Sequence, residues 1–372
     1  MRVYLLSTTG LLLSASIALA GGFELQTLDT SIMYSEGNQA SIATAKIDAS
    51  IEGYNTAPGL GVATKRAVVK DQTVTNYAAK FDAGDSLSFG LNTYRSGAIQ
   101  LDGGNAAAPV YNLAPTGDVD LDTTALMVKY NLNDSISLLG GITQNTLKDG
   151  NVTTLAGSYG ISGTSEQGYI MGLAYSIPEI ALRAELTYQP KTTFNTTTNF
   201  GPNVNPASAT TLALPETFAL SFQTGIAADT LLTASYRKAN WSKSQISVTV
   251  ADVAPLSAAN IETEFSDSVA YSIGIGRKFT ENLSGSITYS KEEGSSSTAE
   301  SLFTVSNGSD AISIGLQYKR DNMTISGGVS QRKVGDVTVD PGFTAPNPLA
   351  GQTMAYTGNS VTAMGLKLSF SF

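Results

Sequence analysis

The chain has 372 residues, of which 42% are hydrophobic and 14% are charged, and its formal net charge is −9. Because it contains neither cysteine nor histidine, it can form no disulfide, no Cys-based zinc site and no His-dependent catalytic triad. We therefore expect no enzymatic activity, no metal and no cofactor, and a net acidic chain without a basic run is a poor nucleic-acid binder. The charged fraction lies well below the roughly 25% of soluble domains, although the mean hydropathy is close to neutral.

The first twenty residues are typical of an export signal. Met1 and Arg2 give a short positive start, residues 3–20 are mostly apolar, and Ala18-Leu19-Ala20 matches a small-residue cleavage pattern. We predict a signal peptide over residues 1–20, with an N-terminal membrane anchor as the alternative. No later segment has the ~18 continuous apolar residues of a transmembrane helix, so we expect any membrane crossing to use β-strands.

From about residue 40 onward, large and small side chains alternate with a period of two. In one such run the large residues are Tyr169, Met171, Leu173 and Tyr175, and between them lie Gly168, Ile170, Gly172 and Ala174. Similar runs cover residues 269–276, 312–319 and 365–372. The polar face is mainly Ser, Gly and Thr with few charges. This composition is typical of the lumen of a transmembrane barrel, whereas a soluble sandwich would carry many Lys and Glu outside.

Short turns and long connections alternate along the chain. The long connections are rich in Gly, Asn, Thr and Pro, and they span residues 54–71, 97–120, 148–165, 191–213, 243–264, 293–309 and 334–358. This asymmetry favours periplasmic turns at one end of a barrel and extracellular loops at the other. The predicted strands are 40–53, 72–82, 86–96, 121–131, 135–147, 166–176, 180–190, 214–225, 230–242, 265–278, 283–292, 310–319, 323–333 and 359–372.

These features predict an all-β fold: a transmembrane antiparallel β-barrel of about 14 strands over residues 40–372. An even number of strands is typical of closed bacterial barrels. Residues 21–39 precede the first strand and do not alternate cleanly, so we predict a short N-terminal plug inside the lumen. The chain ends in Phe372, an aromatic terminus typical of the signal that the barrel assembly machinery reads.

Two segments resemble ligand-binding motifs but lack residues that the chemistry needs. Asp118, Asp120 and Asp122 have the spacing that begins a calcium loop, but Thr123 stands at its glycine position and Lys129 at its twelfth position. We interpret this segment as a solvated loop that enters a strand. A glycine pair near residue 60 is a poor phosphate loop because no helix follows it.

Several short motifs, in order along the chain, point to one family. They are Gly22-Phe23, Asp120-Leu121-Asp122-Thr123, Leu214-Pro215-Glu216, Trp241-Ser242 and Phe265-Ser266-Asp267. Through them the chain resembles the long-chain fatty acid transporters of Gram-negative outer membranes (FadL), which are fourteen-stranded barrels with an N-terminal plug. The segment 21–39 is short for that plug and lacks its Asn-Pro-Ala element, so the chain resembles a diverged form with a reduced plug.

The resemblance implies passive uptake of long-chain fatty acids or similar hydrophobic molecules across the outer membrane. It also implies sideways release through a kinked third strand, where Gly90 and Gly97 would permit the kink. The implied partners are hydrophobic small molecules, outer-membrane lipid and lipopolysaccharide, and the barrel assembly machinery through Phe372. A general diffusion porin for small polar solutes and a purely structural barrel are the alternative functions.

Seven residues are candidates for substrate binding. Phe23, Leu25 and Leu28 belong to the plug segment, whereas Met127 and Leu139 are large residues on the lumen-facing register. Packing between the plug and the wall is the alternative role for these five.

Two lysines complete the candidate set. By the resemblance, Lys148 aligns with a basic residue near the ligand carboxylate, and Lys243 lies close to another. A cation there would pair with a carboxylate, and a solvated loop is the alternative for each lysine.

Overall fold

The computed structural model describes residues 18–20, 23–59, 61–62, 65–103, 113–154, 157–200, 204–250, 259–345, 347 and 349–372. Within these ranges the regular structure is β-strand, apart from three short 3₁₀ turns at Ser31–Tyr34, Pro178–Ile180 and Trp241–Lys243. Residues 1–17, most of the predicted signal peptide, lie outside the described residues, and Ala18–Ala20 forms a short strand. No helix in the described part of the chain is long and apolar enough to cross a membrane.

Fourteen antiparallel strands form a closed barrel, which confirms the predicted fold class and strand number. They are labelled in chain order as β1 Gln39–Ser50, β2 Gln72–Asp82, β3 Leu87–Asp102, β4 Thr116–Asn131, β5 Ile136–Leu147, β6 Thr164–Ile177, β7 Leu182–Gln189, β8 Glu216–Ala227, β9 Thr230–Asn240, β10 Ser268–Lys278, β11 Leu283–Glu292, β12 Ser309–Arg320, β13 Met323–Val334 and β14 Ser360–Ser371. Each strand pairs with its neighbours in sequence, and β14 closes on β1 from Ser360↔Ser50 to Ser371↔Gln39. Because the first strand pairs with the last, neither of them is a free edge of the sheet.

The outer face of the barrel is apolar, as the two-residue alternation predicts. On β6, Tyr169 and Tyr175 are 49% and 47% exposed, whereas Ile170 and Ala174 between them are 1% exposed. The same alternation places Ile312 and Ile314 of β12 on the outside. An apolar belt around a closed barrel is the surface that a lipid bilayer covers.

The long connections at one end of the barrel contain strands of their own. Three of them extend the wall as pairs of strands: Gly150–Thr154 with Gly157–Ile161, Thr192–Phe200 with Val204–Leu214, and Ser247–Val250 with Ala259–Glu262. A separate six-stranded sheet combines three other connections and consists of Glu52–Ala57, Gly61–Val62, Arg66–Ala67, Thr298–Ala299, Val337–Val339 and Thr353–Tyr356. We call this end of the barrel the loop end.

Some predicted boundaries were wrong at the loop end. The third strand was predicted to end at residue 96 and the fourth to begin at residue 121, but β3 continues to Asp102 and β4 begins at Thr116. The predicted connection 191–213 is mostly the two strands described above. Backbone groups above the barrel pair with one another because unpaired N–H and C=O groups are costly once they are buried.

Two apolar clusters lie within the barrel and its loop end. The smaller one joins the N-terminal segment to the wall, and the larger one is formed by upper strand ends and loops.

Candidate lumenal site and wall opening

Strands β2 and β3 separate partway along their length. They pair from Asp82↔Ser88 to Tyr77↔Thr93, and no strand pairing joins them above that rung among the described residues. Higher up, the bridge Val69↔Leu101 joins the two sides again. The two strands are therefore unpaired between these two levels, and we call this interval the wall opening.

A β-bulge in β3 accompanies this opening. The β3–β4 register shifts between Arg95 and Gly97, so that Ser96 is the extra residue. Below the bulge, the odd-numbered residues Phe89 and Leu91 of β3 are exposed on the outside of the barrel. Above the bulge, the odd-numbered residues Ile99 and Leu101 are buried. A bulge bends its strand and increases the local twist, which is consistent with the kinked third strand implied by the resemblance.

The N-terminal strand Phe23–Leu25 lies along the free edge of β3. Glu24 pairs with Ala98 and Leu25 with Gly97, and the Gln26 amide donates a 3.0 Å hydrogen bond to the Ser96 carbonyl. The predicted plug segment 21–39 thus contains a strand that pairs with the wall, which its lack of alternation did not predict. The separation of β2 from β3 leaves an unpaired edge, and the N-terminal segment satisfies part of it.

A polar cluster joins this N-terminal strand to both sides of the opening. The Arg95 guanidinium lies 2.9 Å from the Glu24 carboxylate and 3.5 Å from that of Asp120. The Gln72 side chain of β2 donates to Glu24 and accepts from Arg95. Burial raises the pKa of the Glu24 carboxyl, and the positive charge of Arg95 opposes that shift.

The 3₁₀ turn Ser31–Tyr34 packs against the lower part of the wall from β2 to β6. Ile32 and Met33 are 2% and 0% exposed. The cluster that they form consists of Leu28, Ile32, Met33, Tyr94, Ala125, Met127, Leu139 and Ile170. A side chain at Gly90 would meet the Met33 sulfur, so this glycine makes room for the plug, while the bend itself lies at Ser96.

Tyr34 fixes the end of the plug through its ring and its hydroxyl. The hydroxyl donates a 3.0 Å hydrogen bond to the Glu185 carboxylate. The Lys129 ammonium lies 4.9 Å and the Arg183 guanidinium carbon 4.3 Å from the ring centroid, which are cation–π distances. Burial raises the pKa of the Tyr34 hydroxyl, so the hydroxyl remains protonated and keeps its donor role.

The larger apolar cluster fills the upper lumen at the loop end. Trp241 and Phe265 pack edge to face with ring centroids 5.5 Å apart, and Phe194 is completely buried. Leu25 of the N-terminal strand belongs to this cluster. Sequence reasoning did not assign these aromatics to the lumen, although Trp241, the only tryptophan of the chain, offered a signal.

The lower lumen on the other side of the plug is polar. A cavity of about 330 Å³ lies between the plug and the wall from β7 to β13. Its lining is dominated by small hydroxyl side chains, together with Arg183, Glu185 and Arg237. The lumen is thus apolar near the loop end and polar toward the short turns.

The structure brings three of the predicted binding residues together. Leu28, Met127 and Leu139 share the plug cluster, which also fits the alternative reading of packing between plug and wall. Leu25 joins the upper cluster at 4% exposure. The backbone of Phe23 is in the N-terminal strand, and its side chain lies outside the described residues.

The two predicted lysines belong to neither apolar cluster. Lys148 forms a 2.7 Å ion pair with Asp122, whose position alternates with buried Leu121 and Thr123. Lys243 is exposed at the end of the turn Trp241–Lys243, and its carbonyl accepts a 2.8 Å hydrogen bond from Lys191. These positions favour solvated loops over a lumenal contact with a carboxylate.

The three aspartates of the calcium-like segment are each paired with a cation. Asp118 lies 3.4 Å from Lys70, and Asp120 and Asp122 pair with the basic residues described above. In the described part of the chain, no group of three or more carboxylates is placed to hold a metal ion. These aspartates therefore act as ion-pair partners in the structure.

These features define a class of protein: a closed fourteen-stranded transmembrane barrel with an N-terminal segment in its lumen and an opening in its wall. Solved structures of FadL-type channels share this fold. A FadL homologue from Pseudomonas aeruginosa aligns with a TM-score of 0.73 at 12% identity over 92% of each chain. The toluene transporter TodX from P. putida aligns with a TM-score of 0.63 at 11% identity, also over 92% of each chain.

A third structure, the toluene transporter TbuX from Ralstonia pickettii, aligns with a TM-score of 0.60 at 13% identity over 100% of this chain and 97% of that one. No protein-family model and no curated protein matches the sequence. At these identities the likeness shows the fold, and the FadL-like fold predicted from short motifs is confirmed.

Proposed function

We propose that the protein is a passive channel of the outer membrane that takes up hydrophobic small molecules and releases them through the opening between β2 and β3. The observation that carries this proposal is the opening itself, which is bounded by the bulge at Ser96 and lined by the N-terminal strand. A barrel that only spans a membrane has no need to separate two neighbouring strands within its wall. The toluene transporters that share the fold support a hydrophobic substrate.

The proposed route begins at the loop end, which faces the cell exterior in this orientation. A hydrophobic molecule enters the upper apolar cluster around Phe194, Trp241 and Phe265, where burial of its apolar surface is favourable. Leu25 lines the way to the opening, and Leu28, Met127 and Leu139 hold the plug below it. Lys148 and Lys243 serve at the outer surface, where they attract an anionic headgroup.

Buried charges in the wall, which include Arg237 of the polar cavity, favour a substrate that carries an acid group, such as a long-chain fatty acid. Arg237, Glu292 and Arg332 are 6%, 5% and 8% exposed, so two guanidinium groups are buried with one carboxylate. The registers across β9 to β13 place Glu292 between the two arginines. An excess of buried positive charge attracts a carboxylate more than a neutral hydrocarbon.

Deletion of Ser96 tests the proposed exit directly. Arg95 pairs with Asp122 and Gly97 with Leu121, so removing the single residue between them preserves the β3–β4 register on both sides. We expect β3 to straighten, β2 to pair with it, and uptake of labelled oleate to fall to the level of cells without the protein. Deletion of Gly342, in an exposed connection, is the matched control and should leave uptake unchanged. Full uptake by an assembled Ser96-deletion variant would refute sideways release.

The polar lower cavity favours one second candidate, a general diffusion porin for small polar solutes. Liposome swelling with sugars separates the two functions, since a porin passes sugars at a high rate and the proposed channel does not. Parallel uptake of oleate and toluene then distinguishes an acidic amphipath from a neutral hydrocarbon. Rapid swelling without uptake of either hydrophobic compound would favour the porin.

A further inference from the structure

The N-terminal strand is attached to the wall opening by few contacts. Its backbone pairs with β3 over two residues, Glu24 and Leu25, with one more hydrogen bond from Gln26. Its link to β2 on the other side of the opening is the Gln72 side chain. A short two-stranded pairing is marginally stable on its own, so side-chain contacts decide whether this segment stays in place.

The other end of the segment is anchored much more firmly. Ile32 and Met33 are fully packed against the wall, and Tyr34 is held by Glu185, Lys129 and Arg183. Residues 26–30 between the two ends have no regular secondary structure. Residues 23–25, which we call the arm, are therefore held by contacts that are separate from those of the anchor.

We propose that Arg95 is the positioning residue that latches the arm across the wall opening, and that the opening is released when the arm leaves Arg95. This inference rests on the proposed function for its consequence, although the docking of the arm is measurable without transport. Arg95 lies directly before the bulged residue, so the latch sits at the point where β3 bends. The Arg95 guanidinium forms ion pairs with Glu24 of the arm and Asp120 of β4, and it donates a hydrogen bond to the Gln72 side chain of β2.

The charges at the latch explain why loss of Arg95 weakens docking of the arm more than loss of Glu24 does. Two carboxylates, Glu24 and Asp120, face one guanidinium, and the Glu24 side chain is only 8% exposed. Removing one partner of a buried pair leaves an uncompensated charge, which is far more costly than removing both. Without Arg95, the ionised Glu24 is therefore driven out toward water, and the arm undocks.

Protonation of Glu24 strengthens docking of the arm, whereas loss of Arg95 weakens it. Burial raises the pKa of Glu24 in the docked arm, so the docked state binds a proton more tightly than the released state. Docking is thus strongest at low pH, below the ordinary pKa of the carboxyl, and it weakens as the pH rises through the raised pKa. The charged groups that face Glu24 are Arg95 and Asp120, and Gln72 is its polar neighbour.

The chain contains no cysteine, so one introduced cysteine reports on the arm. We would place it at Leu25, the arm residue that is 4% exposed, and measure the rate of maleimide labelling in otherwise native protein and in Arg95→Gln. Labelling of the Arg95→Gln protein should be about tenfold faster or more. The double variant Glu24→Gln/Arg95→Gln removes both charges and should return close to the native rate. Lys148→Gln, which breaks the ion pair with Asp122, is the control and should not change the rate.

A pH series and a transport assay complete the test. Because maleimide reacts with the thiolate, labelling of every variant slows at low pH, so each rate is divided by the native rate at the same pH. This ratio for Arg95→Gln should fall toward one between about pH 7 and about pH 5, because protonated Glu24 docks again. Heat-modifiable migration on gels confirms that each barrel is assembled. Equal labelling rates in the native and Arg95→Gln proteins would overturn the latch whatever the uptake assay shows. Faster labelling without a change in oleate uptake would retain the latch and count against the proposed exit route.

Discussion

Ile314→Arg on the outer face of β12 tests the membrane-spanning reading of the barrel. Ile314 is 53% exposed and pairs with two other outward residues, Ile287 and Val329. It is the sixth of the twelve residues of β12, so it lies within about 2 Å of the middle of the strand. An arginine there would face hydrocarbon near the bilayer midplane, and we expect a loss of about 2–4 kcal/mol in the free energy of unfolding.

Ser313→Arg is the matched control, one residue away on the lumenal side. The Ser313 hydroxyl donates a 2.9 Å hydrogen bond to Ser330, and Ser313 lines the polar lower cavity. An arginine there remains in polar surroundings, so the expected loss is that of one hydrogen bond, about 0.5–1.5 kcal/mol. The difference between the two variants therefore measures the lipid contact separately from the increase in side-chain size.

Guanidinium unfolding titrations in phospholipid vesicles provide the measurement. The two variants are refolded into the same vesicles, and their free energies of unfolding are compared with that of the native chain. Equal losses would show that the two faces of β12 have the same surroundings. That outcome would refute either the register of β12 or the assignment of its outer face to lipid.

Three further predictions concern the plug and the orientation of the barrel. Gly90→Ala should weaken docking of the plug by about 1–3 kcal/mol, because the added carbon would meet the Met33 sulfur. Adding Met33→Ala should recover part of that loss, as measured by proteolysis of the plug. If the effects of the two substitutions simply add, the proposed contact between these residues is wrong. A cysteine at Asn205 should be labelled on intact cells and one at Asp321 should not, because Asn205 lies in a loop-end strand and Asp321 in a short turn. The reverse labelling pattern would show that the barrel has the opposite orientation in the membrane. Deletion of residues 23–33 should leave a heat-modifiable barrel, since β1 to β14 close without this segment. Oleate uptake should nevertheless fall, and leak of small solutes should rise. If neither uptake nor leak changes, the segment is not a plug.

The barrel itself was largely predictable from the sequence because lipid on one side and a polar lumen on the other enforce strict alternation. Strands such as β6 and β12 carry that pattern over their whole length, and their predicted bounds differ from the structure by one to two residues. The strands within the loops were missed because their residues are polar and Gly- or Thr-rich. Such segments become strands only where a neighbouring loop supplies a partner.

The wall opening was only partly predictable. The placement of Leu28, Met127 and Leu139 follows from alternation and from the apolar plug, and the structure joins them in one cluster. The pairing of Glu24 with Arg95 joins residues 71 positions apart, and it depends on a bulge that shifts the register by one residue. The alternation in the sequence carries no signal for that bulge, since Leu91 and Ile99 lie eight positions apart and keep the same phase.

The division of the lumen into two halves supplies a physical reason for release through the wall. The upper half is filled by the cluster around Trp241 and Phe265, whereas the lower cavity carries many hydroxyl side chains and several charges. Moving apolar surface from the upper cluster into that hydrated space costs about 25 cal/mol per Å², or about 7.5 kcal/mol for a molecule with about 300 Å² of apolar surface. The bilayer core, on the other side of the opening, carries no such penalty. A molecule that is held by the upper cluster therefore leaves more readily past the arm at Leu25 than downward past Met33, and the steepness of that preference should increase with the length of its apolar chain.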